Sequence, residues 1–403
     1  MTEQVAGAGP LLRPDGAERA GRMERRVFFG PVSMKARLAV LAVLLAGALS
    51  ASGCRSSTPG TALQLSPERW REVVAARGVD PGDVPMPMYV SPEIRAVAEQ
   101  IAGPGDDRER LRRLQAGLLD RKSYAFEYDT VATFTASEAF AARRGNCVSF
   151  TNLFIAFGRA LGIPLQAALL FRRGSSEREG DLVMVYNHMV AVHPKGRVNT
   201  IYDFYMTREG TPMDLRLIDD LAVAAISASN RGVEALRAAD LEEAHVLLER
   251  ATRLDPTLPD LFSNLGIVKW RQGYTDGALA TFRQGLAIDP HRPALLHNLA
   301  ALYIEQGRRT EARAALAAAS SRDASPYLFV VQGDLELVGG NPKKALKAYR
   351  RAHRENRKLI EPLLGIARTE KLLGNVEAAR RALRKAEKLR PDDAQVRSLL
   401  EGT

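Results

Sequence analysis

The chain has 403 residues, 46% of them hydrophobic and 26% charged, with a formal net charge of +10. That length and composition allow two or three globular domains with a sizeable core, and they exclude a chain too polar to fold. The positive excess suits a nucleic acid, an anionic membrane surface or an acidic polymer, and the destination of the chain decides among them.

In chain order, residues 1–33 are rich in Gly, Arg and Pro without apolar periodicity. They read as a segment absent from the mature protein or as a disordered cytoplasmic extension. Met34-Lys-Ala-Arg then opens a positive region, Leu38 to Leu49 form an apolar run, and Ala51-Ser-Gly-Cys54 follows. Residues 34–53 thus read as a bacterial export signal. The apolar run falls short of the roughly 20 residues that a membrane-spanning helix needs, so a permanent span is the weaker reading. The stretch "ASGC" resembles the lipobox of bacterial lipoproteins, which implies cleavage before Cys54 and lipid on its sulfur. The aspartate often associated with inner-membrane retention is replaced by Arg55, so the resemblance favours an outer-membrane anchor facing the periplasm. Export argues against nucleic acid as the partner.

Residues 54–66 read as anchor and polar tether. Cys54 and Cys147 are the only cysteines. Two cysteines in an exported protein normally suggest a bridge. Lipid on Cys54 would forbid it, leaving Cys147 as a lone thiol that must be buried or used.

Residues 67–215 form the first candidate domain. Helical patterns appear at 67–77, 92–103 and 107–121, punctuated by Ser91-Pro92 and Pro104-Gly105. Leu165 to Phe171, Leu182 to His193 and Val198 to Tyr205 are strand-like, with "RRGSSEREG" and "PKGR" as the turns between them. Helices followed by hairpins describe an α+β domain.

From about residue 225 a period emerges. Ala244, Ala278, Ala312, Ala345 and Ala379 are 34, 34, 33 and 34 residues apart. Twelve residues before each stands Gly232, Gly266, Ala300, Gly333 or Ala367, and four after each comes Leu248, Phe282, Leu316, Tyr349 or Leu383. Small residues let two helices of a hairpin approach, the large ones fill the gap, and Pro256, Pro290 and Pro391 close three units. The pattern resembles the tetratricopeptide repeat, five units covering 225–393, with 394–403 left as a C-terminal tail. The resemblance implies an all-α solenoid whose concave face binds a protein or peptide. The basic runs "YRRAHRENRK" and "RRALRKAEKLR" read as a solvated helix face, with an acidic partner, cell-wall polymer or lipid headgroup as the alternative.

The chemistry gathers around "RRGNCVSFTNLF". Gly145-Asn146 reads as a turn and Val148 to Leu161 as a buried helix stopped by Gly162, which sets Cys147 at the helix N-terminus. The dipole there favours a thiolate and can lower a cysteine pKa below its usual ~8.5. A base is the other requirement. If Pro194 to Arg197 form a four-residue hairpin loop, His193 faces Val198 and His188 faces Asp203, close enough for the carboxylate to fix the imidazole tautomer. A bulge or a different loop length would break that match. His193, an odd number of residues from His188, points the other way, which argues against a His188/His193 metal pair. A zinc site from Cys147, His188 and Asp203 lacks the short paired ligand spacing of such sites.

A helix-borne cysteine followed by a histidine and an aspartate on strands resembles the transglutaminase-like superfamily, with its papain-like α+β core. "RRGNCVSFTNLFIAFGRALGIP" is similar to its cysteine box, "NHMVAVH" to its histidine box and "IYDFY" to its aspartate box, and Tyr124 in "KSYAFEY" resembles the stretch leading into its core. The resemblance covers about 90–210. It implies Cys147 as nucleophile, His188 as general base and acid, and Asp203 as the group that orients it. Crosslinking members commonly carry Trp after the cysteine, where this chain has Val148, so the resemblance points to hydrolysis rather than transamidation. The Cys147 N–H is the natural oxyanion donor, with the second unassigned. The chain thus reads as an envelope-anchored cysteine hydrolase with protein-binding repeats and no cofactor. The alternative is a scaffold lipoprotein whose transglutaminase-like domain has lost turnover.

Overall fold

The computed structural model describes residues 65–170, 176–179, 182–185, 188–195, 198–204, 207–209, 215–319 and 325–402. The export segment, Cys54 and residues 54–64 of the tether lie outside them.

Three helices open the described chain: α1 (Pro67–Ala75), α2 (Pro92–Ala102) and α3 (Asp107–Leu119). Each starts at a short polar cap: Ser66 accepts from the Arg69 N–H, Ser91 from Ile94 and Asp106 from Glu109. Proline at the first position of α1 and α2 costs nothing, because that N–H has no helical acceptor. Helix α4 (Ala136–Ala142) begins with a reciprocal capping box between Thr135 and Glu138. Helix α5 (Cys147–Ala160) is apolar all round, and of its 14 residues only Cys147 and Arg159, near its two ends, are not fully buried. A helix of that texture belongs inside the domain.

Strands β1 (Glu127–Tyr128) and β2 (Arg144–Gly145) pair in parallel just ahead of α5. The other strands are β3 (Gln166–Leu170), β4 (Ser176–Glu179), β5 (Leu182–Val185), β6 (His188–Lys195), β7 (Val198–Tyr202), β8 (Thr207–Glu209) and β9 (Leu215–Ile218). Five of them make an antiparallel sheet in the order β8-β7-β6-β3-β9, while β4 and β5 pair separately. Helix α5 lies on β6, where the Thr151 hydroxyl donates to the Met189 carbonyl at 3.1 Å.

The hairpins differ from expectation in three respects. The stretch expected as one strand from Leu182 to His193 is divided between β5 and β6, and Ser176–Glu179, expected within a turn, is the strand that pairs with β5. In the β6–β7 hairpin Lys195 pairs with Val198 and His193 with Thr200, so Pro194 and Lys195 are strand rather than loop. The remaining loop residues, 196–197, lie outside the described residues. The expected pairing of His193 with Val198 and His188 with Asp203 is therefore incorrect by two residues. A slip of two preserves the face of every side chain, whereas a slip of one would reverse it.

Five helical hairpins follow: α6 (Asp220–Arg237) with α7 (Leu241–Leu254), α8 (Pro259–Arg271) with α9 (Thr275–Ile288), α10 (Pro293–Glu305) with α11 (Arg309–Ala318), α12 (Pro326–Val338) with α13 (Pro342–Glu355), and α14 (Glu361–Leu372) with α15 (Val376–Leu389). A Cβ placed on Gly232 would meet Leu248 at 2.7 Å, on Gly266 Phe282 at 2.3 Å, and on Gly333 Tyr349 at 2.4 Å. The repeated small and large residues thus touch within these three hairpins, as the period requires. The segment expected as a tail is instead α16 (Ala394–Glu401), which buries Val396 against the last hairpin. It covers the apolar end that a terminal repeat would otherwise expose.

The two domains share a core. Val223, Ala225 and Ile226 of α6, with Leu254, Leu258 and Leu261 beyond it, belong to the same buried cluster as Phe150, Phe154 and Phe157 of α5. The expected division into 67–215 and 225–393 does not coincide with a break in packing.

Candidate active site

The site begins at a glycine. Gly145 has φ +150°, and a Cβ there would stand 2.3 Å from the Ser149 Cβ, so the chain can enter α5 only through a residue without a side chain. Asn146 then caps the helix, its side-chain oxygen accepting from the N–H groups of Val148 (3.0 Å) and Ser149 (3.2 Å). Its amide nitrogen donates to the Thr133 hydroxyl at 2.7 Å. Ser149 holds the same loop, accepting from the Phe134 N–H at 2.8 Å and donating to the Ala132 carbonyl at 3.0 Å. The helix start that carries Cys147 is thereby sewn to residues 132–134.

That loop is itself held by the first repeat helix. The Thr133 hydroxyl donates to Glu234 at 3.0 Å, and Arg231 donates to the Thr133 carbonyl at 3.1 Å while pairing with Glu138 at 2.5 Å. Burial raises the Glu234 pKa against the lowering effects of Thr133 and Arg231. At the other end of α5, Arg159 forms a two-point ion pair with Asp220 of α6, both contacts at 2.8 Å. Helix α6 therefore holds the cysteine helix directly at its C-terminal end and, through the loop 132–134, at its start.

Cys147 is a free thiol, half-buried, with its sulfur beside the imidazole of His188. The His188 Nε2 lies 2.9 Å from Asp203 Oδ2. The observed register, carried one step past the Ala191–Tyr202 pair, sets Val190 rather than His188 opposite Asp203. The contact is diagonal, a distance long polar side chains can span. The hydrogen bond to Asp203, then that to Cys147, pushes the His188 pKa up to about 9 against the opposing effect of burial. An imidazole whose Nε2 is engaged by a carboxylate keeps Nδ1 for the thiol.

Asp203 is fixed in turn. Its Oδ1 accepts from the Phe204 N–H at 2.7 Å, and its backbone carbonyl accepts from Gln115 of α3 at 2.7 Å. Sequence reasoning missed Gln115, although a glutamine among Leu111, Leu114 and Leu118 on the buried face of α3 is the kind of signal that marks a polar role. It also read Asn146 as a turn residue when its position before a buried helix suits a cap. Thr133 and Glu234 gave no local signal, because their partners are distant in sequence. His193, expected on the face opposite His188, is buried and pairs with Thr200. Tyr124 packs edge-on against Phe157 of α5, and its hydroxyl donates to the Phe140 carbonyl. The Cys147 N–H meets no acceptor among the described residues.

The family model described as "Transglutaminase-like superfamily" matches residues 95–206, which contain Cys147, His188 and Asp203. Models described as "Tetratricopeptide repeat" match 230–293, 269–329 and 339–401. The chain carries a transglutaminase-like domain followed by tetratricopeptide repeats. No curated protein matches it. Among solved structures, a thermophilic TPR protein of Thermus thermophilus is 20% identical, with a TM-score of 0.41 over 44% of this chain and 97% of its own. PilF of Pseudomonas aeruginosa is 20% identical, with a TM-score of 0.35 over 46% of this chain and 100% of its own. MamA of Desulfovibrio magneticus RS-1 is 19% identical, with a TM-score of 0.34 over 42% of this chain and 97% of its own. The transglutaminase-like domain thus supplies the cysteine, histidine and aspartate, and the first repeat helix supplies Glu234, Arg231 and Asp220 around it.

Proposed function

We propose that the protein is a cysteine hydrolase that cleaves an amide or peptide bond through an acyl-thioester, with its repeats holding the protein substrate. The observation that carries this reading is the place of His188, hydrogen-bonded to Asp203 at 2.9 Å with the Cys147 thiol beside the same ring. The Cys147 thiolate attacks the carbonyl carbon, and the negative charge that develops on oxygen is met by the Cys147 N–H. The His188 imidazolium donates its proton to the leaving amine as the C–N bond breaks. Water then attacks the thioester as the now neutral His188 removes its proton, and the C–S bond breaks to release the carboxylic acid and restore the thiolate beside the imidazolium. Asp203 holds the ring and stabilises its charged form.

Tetratricopeptide repeats generally mediate binding to proteins, which supports a polypeptide substrate or partner. The "ASGC" sequence supports lipid on Cys54 and a place in the bacterial envelope, anchored to the outer membrane and facing the periplasm.

The test is the rate of iodoacetamide alkylation of Cys147 against pH, in Cys54→Ser protein so that a single thiol is read. An apparent thiol pKa well below ~8.5 that rises in His188→Ala supports an activated pair. A normal pKa, unmoved by His188→Ala, makes Cys147 a structural residue and defeats the proposal.

A further inference from the structure

The positive excess of the chain is concentrated in one region. Residues 342–390, spanning α13 to α15, hold 16 Lys and Arg against 5 Asp and Glu, while the other 354 residues hold 41 against 42. The overall charge of +10 is therefore a property of the last two repeats. A solvated helix face, the reading the basic runs suggest by themselves, does not explain why the remainder of the chain is balanced.

Those helices also enclose a groove of about 450 Å³, the size range of small-ligand sites. Arg381, Arg384, Lys385 and Lys388 of α15 line one side, Arg350 and His353 of α13 the other. Leu363 and Ile366 of α14 give it an apolar lining. Glu370 is the one acidic residue in the lining, and both its oxygens are engaged, by Arg350 at 2.8 Å and by Asn375 at 2.9 Å. It is not free to neutralise the cations of α15. The His353 Nδ1 is buried without a hydrogen-bond partner among the described residues. Burial, then Lys385 and Arg357, lower the pKa of that ring, a sign of positive potential inside the groove.

We infer that the groove between α13, α14 and α15 is a docking site for an acidic polypeptide segment that also carries apolar side chains. Carboxylates would pair with the Arg and Lys walls, where guanidinium groups accept them two-pronged, and apolar side chains would rest on Leu363 and Ile366. A planar bilayer cannot enter a recess of this kind, which favours a peptide over a lipid surface. The site lies on the last two repeats, remote in sequence from Cys147, and it stands whether or not the cysteine is catalytic.

The test uses the full chain and fluorescence anisotropy of a labelled peptide of alternating Glu and Leu, with a Lys/Leu peptide as control. Binding should be selective for the acidic peptide and should weaken by about tenfold or more in Arg381→Glu/Arg384→Glu, whose side chains are exposed and leave the helix intact by circular dichroism. It should also weaken between low ionic strength and about 0.5 M salt, where charges are screened beyond a few ångströms. Equal binding of both peptides, or binding unchanged by the double substitution, overturns the inference. So does failure to bind the peptide while vesicles of anionic phospholipid capture the protein, which would assign the charge to a membrane instead.

Discussion

The carboxylate of Glu234, on the first repeat helix, accepts the hydroxyl hydrogen of Thr133 at 3.0 Å, and Thr133 in turn accepts from Asn146, which caps the cysteine helix. A side chain in the repeat region thus sets the position of a cap in the catalytic candidate. Removing the acceptor should act across that chain of bonds. Glu234→Ala should cost about 1–3 kcal/mol, the range for orphaning a buried hydrogen-bonding group, and Asn146→Ala about 1 kcal/mol for the lost cap. In both variants the amide hydrogens of Val148 and Ser149 should exchange faster. Unchanged exchange at those amides in Glu234→Ala would show that the cap stands without the repeat helix.

His188 should make stability depend on pH in a defined window. Its pKa is raised from 6.5 to about 9, chiefly by Asp203. The folded state binds the proton more tightly than the unfolded chain, so the stabilisation is complete below pH 6.5 and is lost as pH rises through about 9. In Asp203→Asn the largest cause is gone, and the dependence should shrink. Urea midpoints of the two proteins from pH 6 to 10 would check it, and parallel curves would refute the assignment.

Arg159 and Asp220 are a mostly buried pair, their side chains 7% and 17% exposed. Arg159→Ala would leave the carboxylate with its charge and little solvent, at a cost of roughly 3–5 kcal/mol. Arg159→Met with Asp220→Asn should recover part of that loss, because neither residue then buries an unpaired charge. Chemical denaturation of the single and double variants gives the comparison.

Gly266 lies against the Phe282 ring, and a Cβ added there would stand only 2.3 Å from it. Gly266→Ala should therefore overpack the second hairpin and cost about 1–3 kcal/mol, and Phe282→Leu in the same chain should relieve some of it. Thermal melts decide. A Gly266→Ala protein as stable as the parent would mean that the helices separate freely.

The repeats were legible in the sequence because their packing is local: Gly232 and Leu248, or Gly333 and Tyr349, are neighbours in one hairpin, so a fixed spacing reports the contact directly. The cysteine helix was legible for a similar reason, its apolar run and flanking glycines being continuous in the chain. The histidine and aspartate were brought together by the right face and the wrong register. Strand alternation fixes parity, but a hairpin loop can shift by two residues without disturbing it. What stayed hidden was tertiary: Gln115 holding the Asp203 carbonyl, Glu234 holding Thr133, and the apolar faces of α5 and α6 meeting in one core. No period in the sequence encodes a contact made between residues so far apart.

Ile218 ends the last strand and Asp220 begins the first repeat helix, which pairs with Arg159 at one end of the Cys147 helix and holds the loop that caps the other. Such a junction leaves no tether to swing. A polypeptide gripped anywhere along the repeats would reach the thiol at a set offset from its grip. If the proposed hydrolysis holds, the repeats would act as a ruler, choosing the bond to be cut by its spacing from a docking motif more than by the residues that flank it.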